Sequence, residues 1–348
     1  MNQDAVRQLK LELGKRVIML DGAMGTMIQQ HNLSEEQFRS KRFINHSVNL
    51  KGNNDLLSLT APHIIEDIHL KYLQAGANII GTNTFSSTSI AQSDYQLEEV
   101  VYELNLVSAQ IARQAVDKHQ QQHHGHLALV AGAMGPTNRT ASISPDIDNP
   151  DFRAITFDQL SDSYYQQASA LVEGGVDLLL VETVFDTLNL KAAIHAIKRL
   201  EQERGVAPPL MISVTVTDNS GRTLSGQTIE AFWNSIRYAD PLSVGINCAL
   251  GAVEMHPFLA DLARVADCYI SCYPNAGLPN PLVPTGYDEG PTVTSLHLKE
   301  FVQEGLVNLV GGCCGTTPDH IKAIFEVVNE LPPRDIPTPP LATRLSGL

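Results

Sequence analysis

Phe301-Val302-Gln303-Glu304-Gly305-Leu306-Val307-Asn308-Leu309-Val310 runs straight into Gly311-Gly312-Cys313-Cys314-Gly315-Thr316-Thr317-Pro318. The first ten residues read as a helix tail, a glycine C-cap, a short link and an apolar strand. The next eight turn that strand end into a new helix. Thr316 or Thr317 is its N-cap, Pro318 takes the first helical position and Asp319 lies in the first turn. Residues 72–80 (Tyr-Leu-Gln-Ala-Gly-Ala-Asn-Ile-Ile) and 171–179 (Leu-Val-Glu-Gly-Gly-Val-Asp-Leu-Leu) repeat the helix–glycine–strand grammar. Such units at intervals signal a parallel sheet with helical crossovers.

Eight segments have strand character: Val17–Leu20, Asn78–Ile80, Leu127–Ala131, Asp177–Val181, Leu210–Val216, Ser243–Ile246, Cys268–Ser271 and Asn308–Val310. Between them the apolar spacing predicts helices, including one from Pro62 to Gly76 and others over Glu98–Lys118, Phe157–Gly174, Leu188–Glu203, Thr228–Ala239, Val253–Ala266 and Thr292–Gln303. Residues 4–14 read as a short helix and 31–60 as polar and irregular. Eight βα units in 348 residues predict a (β/α)8 TIM barrel, a single α/β domain over residues 1–330 with its active site at the C-terminal ends of the strands. A doubly wound open sheet is the alternative. It lacks the Gly-x-Gly-x-x-Gly phosphate loop after its first strand. Residues 331–348, with Pro332, Pro333, Pro337, Pro339 and Pro340, read as a semi-extended linker or as a frayed terminus.

Composition narrows the partners. Lys and Arg total 24 against 38 Asp and Glu, a net charge of -14, with no basic run, which argues against nucleic acid or an anionic membrane. Five cysteines, two of them adjacent, do not make a secreted disulfide framework and suit a reducing cytoplasm. Neither a signal-type apolar segment nor a bilayer-length apolar run is present, so a soluble cytoplasmic protein is expected.

At the strand ends the barrel would collect Asp21 and Gly22, Thr82 and Asn83, Glu182 and Thr183, Asn247 and Cys248, and Cys313 and Cys314. Strand 8 lies beside strand 1 in a closed barrel. Strands 6 and 8 are separated only by strand 7, a gap of roughly 10 Å that inward-leaning side chains can bridge. Topology alone therefore brings Cys248, Cys313 and Cys314 together, and three thiolates make a zinc site with one vertex free. An incoming thiol filling that vertex would be deprotonated by the metal. Asp21 and Glu182 suit an ammonium group, and the backbone amides around Gly22 and Ala23 suit a carboxylate. The set describes an α-amino acid with a thiol side chain. Competing readings are plain. The cysteines can be small buried hydrophobes, Asp21 can cap the following helix, Cys272 can be a rival ligand, and the histidines of residues 120–126 belong to a solvated loop.

Six separated motifs carry a resemblance: Asp21-Gly22-Ala23-Met24-Gly25-Thr26, Thr82-Asn83-Thr84-Phe85, Gly135-Pro136-Thr137-Asn138-Arg139, Glu182-Thr183, Asn247-Cys248 and Gly311-Gly312-Cys313-Cys314-Gly315. Together they resemble the homocysteine S-methyltransferase family. Residues 140–145 (Thr-Ala-Ser-Ile-Ser-Pro), 224–228 (Leu-Ser-Gly-Gln-Thr) and 344–348 (Arg-Leu-Ser-Gly-Leu) are similar to its cobalamin-dependent methionine synthase branch. The resemblance implies zinc on Cys248, Cys313 and Cys314, homocysteine held by Asp21, Gly22, Ala23 and Glu182, and Asn247 as a further substrate-site residue that lies beside the metal and contacts it when substrate is absent. It further implies methyl transfer from methylcobalamin to homocysteine, giving methionine. The cobalamin-binding and folate-binding modules would lie elsewhere in the same polypeptide, the folate module after residue 348. A stand-alone enzyme using S-methylmethionine, adenosylmethionine or betaine, and a non-catalytic zinc-stabilised binding module, are the alternatives. Gly81 stands where relatives commonly carry Glu.

Overall fold

In a computed structural model, which describes residues 2–217, 220–283, 286–340 and 342–347, eight strands form one parallel sheet. They are β1 (Ile18–Met19), β2 (Ile79–Gly81), β3 (Leu129–Met134), β4 (Leu178–Val184), β5 (Leu210–Val214), β6 (Ser243–Asn247), β7 (Tyr269–Tyr273) and β8 (Leu309–Val310). Their order is β1-β8-β7-β6-β5-β4-β3-β2. A parallel bridge between Leu20 and Ile79 joins the two ends. There the Asn78 amide donates to Met19 O at 2.8 Å and the Asp21 amide to Ile79 O at 3.0 Å. The sheet is thereby closed, and the fold is a (β/α)8 TIM barrel.

Alternation along each strand divides the apolar side chains between two layers. Leu20, Ile79, Leu129, Ala131, Leu178, Leu180, Met211 and Leu309 point inward and pack in one cluster with Val6, Leu9 and Leu13 of the helix Gln3–Leu13. That helix closes the end of the barrel where the strands begin, and its Asn2 amide donates to Asp177 there. Met19, Ile80, Val130, Leu179, Ile212, Val244, Ile270 and Val310 point outward into the larger cluster beneath the crossover helices. Those helices are Pro62–Gln74, Val101–Gln122, Phe157–Glu173, Thr187–Arg204, Ile229–Ile236, Ala252–Val265, Pro291–Gln303 and Pro318–Val328.

The thrice-repeated sequence grammar has a physical counterpart. Gly76, Gly175 and Gly305 sit in the left-handed region (φ +106°, +95° and +68°), where a Cβ would be strained, and each turns a helix end toward the next strand. The polar residue that follows each turn then bonds a neighbouring strand's backbone. Asn78 Oδ1 accepts from Met19 N at 3.1 Å, Asp177 Oδ2 from Val130 N at 3.0 Å and Asn308 Oδ1 from Ile270 N at 2.9 Å. These side chains fasten the base of the barrel.

Differences from expectation lie at element ends. β3 begins at Leu129 because Leu127 O accepts from the Asn78 side chain at 2.9 Å, and it continues to Met134 because residues 131–134 pair with β4. The polar stretch 31–60 holds the short helices Glu35–Arg39 and Leu57–Thr60, and Met24–Gln29 forms another. Among its described residues the tail carries no helix or strand after residue 330, yet Arg334 is buried against the barrel. Its guanidinium donates to the carbonyls of Ala263, Ala266 and Cys268 at 2.8, 2.6 and 3.0 Å.

Candidate active site

The cysteine pair follows β8 in a turn held on every side. Gly312 N donates to Asp21 O at 3.1 Å, Cys313 N to Pro274 O at 2.8 Å, and Ala276 N to Cys314 O at 2.9 Å. Gly315 N donates to Thr26 Oγ1 at 3.0 Å, and Thr316 Oγ1 donates to Cys313 O at 2.7 Å. Thr317 is the N-cap of the helix Pro318–Val328, with Pro318 in its first turn. Cys248 arrives from the end of β6, where Cys248 and Ala249 are both left-handed (φ +61° and +62°). Two non-glycine residues in that region cost about 1–3 kcal/mol each. Metal on thiolates returns about 10 kcal/mol or more, which is ample to hold such a turn.

That turn brings Cys248 Sγ to 3.9 Å from Cys314 Sγ, and the three sulfurs lie within 4.8 Å of one another. Ligands at about 2.3 Å from a tetrahedral zinc stand about 3.8 Å apart. The donor set is all sulfur and half-buried. The residues therefore fit a zinc ion. Hydrogen bonds from the Cys248 and Cys313 thiols hold the Cys314 thiol well below its ordinary range, while Cys313 is pushed up by its bonds to Cys248 and Cys314. Cys272 is not part of the cluster: it faces the helices and contacts Met255 Sδ at 3.6 Å. Cys268 likewise packs among the helices. The histidines of residues 120–126 lie at the far end of the barrel, where His126 approaches Asn78.

Asp21 and Glu182 line the same cavity as the three sulfurs, a space of about 430 Å³ floored by Leu20, Ile79, Ala131 and Leu180. Asp21 does not cap a helix; its Oδ2 accepts from Gly81 N at 2.8 Å. Burial pushes its carboxyl up to about 8, with the neighbouring Glu182 adding to the shift. Burial raises Glu182 to about 7 against a hydrogen bond from Tyr273 Oη at 3.3 Å. Two carboxyls held above their usual range want a cation. The Ala23 amide donates to Thr316 Oγ1 at 3.2 Å, so a substrate carboxylate would share it with that side chain. Asn247 is fully buried beside Cys313, its Nδ2 3.9 Å from the sulfur.

Sequence reasoning missed Tyr273 and Tyr287, which line the cavity, and the site roles of Ser213 and Thr316, which hydrogen-bond Asn247 and Ala23. Tyr273 and Ser213 sit on inward positions of β7 and β5 beside Asn247. Tyr287 comes from the loop after β7, and its ring lies over Gly315.

Residues 18–328 match the sequence profile of a family described as Homocysteine S-methyltransferase. The chain belongs to the homocysteine S-methyltransferase family. Among solved structures, this homocysteine S-methyltransferase resembles the metallated form of the homocysteine methyltransferase MmuM from Escherichia coli, with 20% identity, 92% of this chain and 98% of that chain covered, and a TM-score of 0.70. The oxidized form of the same protein matches at 20% identity over 89% of this chain and 95% of that chain, TM-score 0.69. These likenesses concern the fold. The chemistry assigned by the family is methyl transfer to homocysteine.

Proposed function

We propose that this homocysteine S-methyltransferase is the homocysteine-binding barrel of a cobalamin-dependent methionine synthase. In this reading zinc is held by Cys248, Cys313 and Cys314, and the methyl group arrives as methylcobalamin on another module of the same polypeptide. The observation that carries the reading is the meeting of three sulfurs from two strand ends at a cavity that also holds two buried carboxyls. The segments at 140–145, 224–228 and 344–348 support the cobalamin-dependent branch.

Bound at the three sulfurs, zinc would supply the Lewis acidity that keeps a substrate thiol deprotonated at neutral pH, where a free thiol near 8.5 is only a few per cent ionised. The rest is positioning by the chain. Asp21 and Glu182 take the substrate ammonium, and its charge brings both carboxyls back to their ionised forms. The amides at Gly22 and Ala23 face the substrate carboxylate. Leu20, Ile79, Ala131 and Leu180 keep the floor of the cavity dry. Homocysteine sulfur then forms its bond to the methyl carbon, and the donor's bond to that carbon breaks with the electron pair kept by the donor. Methionine results, the donor would leave with that electron pair, and the thiol proton goes to solvent. No side chain acts as a base on carbon, and orientation does most of the work.

A second reading is a stand-alone enzyme using S-methylmethionine, adenosylmethionine or betaine. Methionine formation measured with each donor in turn separates the two. Zinc-edge X-ray absorption with and without homocysteine tests the core of the proposal. One sulfur neighbour gained on adding homocysteine is expected; an unchanged sulfur count overturns it. Chelation should abolish activity and leave circular dichroism native-like, whereas a zinc-stabilised binding module would unfold.

A further inference from the structure

Asn247 is held at both ends of its carboxamide beside the cysteine cluster. Its Oδ1 accepts from Thr183 N at 3.1 Å and from Ser213 Oγ at 2.6 Å, which fills both lone pairs of the oxygen. Its Nδ2 donates to Thr183 Oγ1 at 2.8 Å and lies 3.9 Å from Cys313 Sγ. Exchanging the amide oxygen and nitrogen would set a donor against the Thr183 amide, so only one orientation satisfies the network. Thr183 meets the carboxamide with both its N–H and its hydroxyl because it is left-handed (φ +56°), at the β-bulge where the β4–β5 register shifts between Val181 and Val184. Strain of this kind in a β-branched residue persists only where the surroundings impose it.

We propose that Thr183 and Ser213 are positioning residues that lock the Asn247 carboxamide with its N–H toward Cys313 Sγ and its oxygen withheld from the sulfur cluster. The inference rests on the zinc reading given above and deepens it. With the amide oxygen occupied twice over, Asn247 does not compete with a substrate thiol for the fourth vertex at the sulfurs. With the N–H facing Cys313, that sulfur becomes a weaker donor, as hydrogen bonding to a thiolate reduces its charge. The same clamp reaches the ammonium end of the cavity. Tyr273 Oη donates to Glu182 and also approaches Ser213, so a chain of contacts runs from the carboxyl through Tyr273, Ser213 and Asn247 to Cys313.

Ser213→Ala, Ser213→Thr and Thr183→Gly test the clamp. Ser213→Ala frees one lone pair of the Asn247 oxygen. Ser213→Thr keeps the hydroxyl. Thr183→Gly removes the hydroxyl that accepts from Nδ2 and relieves the left-handed strain, so it remains folded even where a core serine variant does not. The readout is the sulfur-to-metal absorption of the protein loaded with cobalt(II), with zinc-edge absorption for light-atom neighbours and KM against kcat for homocysteine. Expected for Ser213→Ala and Thr183→Gly are a shifted cobalt–thiolate band and KM for homocysteine raised about tenfold with kcat less affected, and Ser213→Ala, which frees a lone pair of the amide oxygen, should also add an oxygen neighbour. Ser213→Thr should restore the band and KM. Unchanged spectra and KM in Thr183→Gly overturn the inference while leaving the zinc reading intact. Failure of the unsubstituted protein to bind cobalt or zinc on three sulfurs would instead overturn the zinc reading itself.

Discussion

Cys248 and Cys314 hold their sulfurs 3.9 Å apart although 66 residues separate them in the chain. Nothing local brings them together: β7 lies between their strands, and the meeting depends on closure of the barrel and on the left-handed turn at Cys248. The cluster is therefore a sensitive reporter of both. Replacing Cys313 with Ala removes one of three ligands, and zinc affinity is expected to fall by at least about tenfold. Metal content, homocysteine-dependent proton release and circular dichroism check the outcome. The first two should be lost while the spectrum stays native-like; full zinc retention would contradict the ligand set.

The two carboxyls in the cavity give a pH dependence with a defined sign. Asp21 titrates at about 8 and Glu182 at about 7 in the folded chain, both raised by burial. Unfolded carboxyls titrate near about 4. A raised carboxyl favours the folded state while it is protonated, so stability is greatest below about 4 on this account and declines as pH rises through about 7 to 8. The unliganded protein should lose melting temperature across that window, and Asp21→Asn with Glu182→Gln should flatten the slope. An ammonium ligand reverses the preference. The binding of 2-aminobutyrate, which has the amino-acid end without the thiol, should strengthen as pH rises from about 6 to 8 and should release protons. Calorimetry in buffers of different ionisation enthalpy measures that release, and its absence would remove the ammonium from this pair.

Most of the barrel was legible in the sequence because its units repeat: helix, left-handed glycine, polar residue, apolar strand. The cysteines were legible because thiols at strand ends have few other uses. The inner wall was not. Ser213 and Tyr273 read as ordinary strand residues, and their inward direction follows from the register of β5, β6 and β7. The bulge in β4 adds a residue between Val181 and Val184, so simple alternation misplaces the side chains around Glu182. Asn247 was found by its neighbour Cys248, but the partners that fix its amide come from two other strands. Arg334 was hidden by its setting, since a charged residue among prolines reads as solvated.

Gly315 closes the cysteine turn at φ +82°, and a Cβ built on it would lie 2.5 Å from the Tyr287 ring. Gly315→Ala therefore meets both backbone strain and the Tyr287 ring. A loss of about 1–3 kcal/mol in stability is expected, together with weaker zinc binding, because the displaced turn carries Cys313 and Cys314. Denaturant unfolding and a competition titration with a chromophoric zinc chelator read the two effects. A variant with unchanged zinc affinity would show that the turn is not what orients the pair.

The tail makes the last test. Residues 331–340 carry five prolines and no helix or strand, but Arg334 is only 5% exposed and its guanidinium spans three carbonyls at the end of the helix Ala252–Val265 and the start of β7. Its backbone also joins the barrel. Arg334 N donates to Val307 O at 3.0 Å, and Arg334 O accepts from Asn308 Nδ2 at 2.7 Å. Asn308 is one of the three residues that fasten the strands at the base. Removing the guanidinium leaves buried carbonyls without donors, at about 1–3 kcal/mol. Truncation after residue 330 should thus lower the unfolding midpoint by a comparable or larger amount, and truncation after residue 336, which keeps Arg334, should cost little. Arg334→Lys, a single ammonium that cannot span three acceptors, should fall between them. Equal stability of the two truncated chains would show that the segment is a spacer from its first residue.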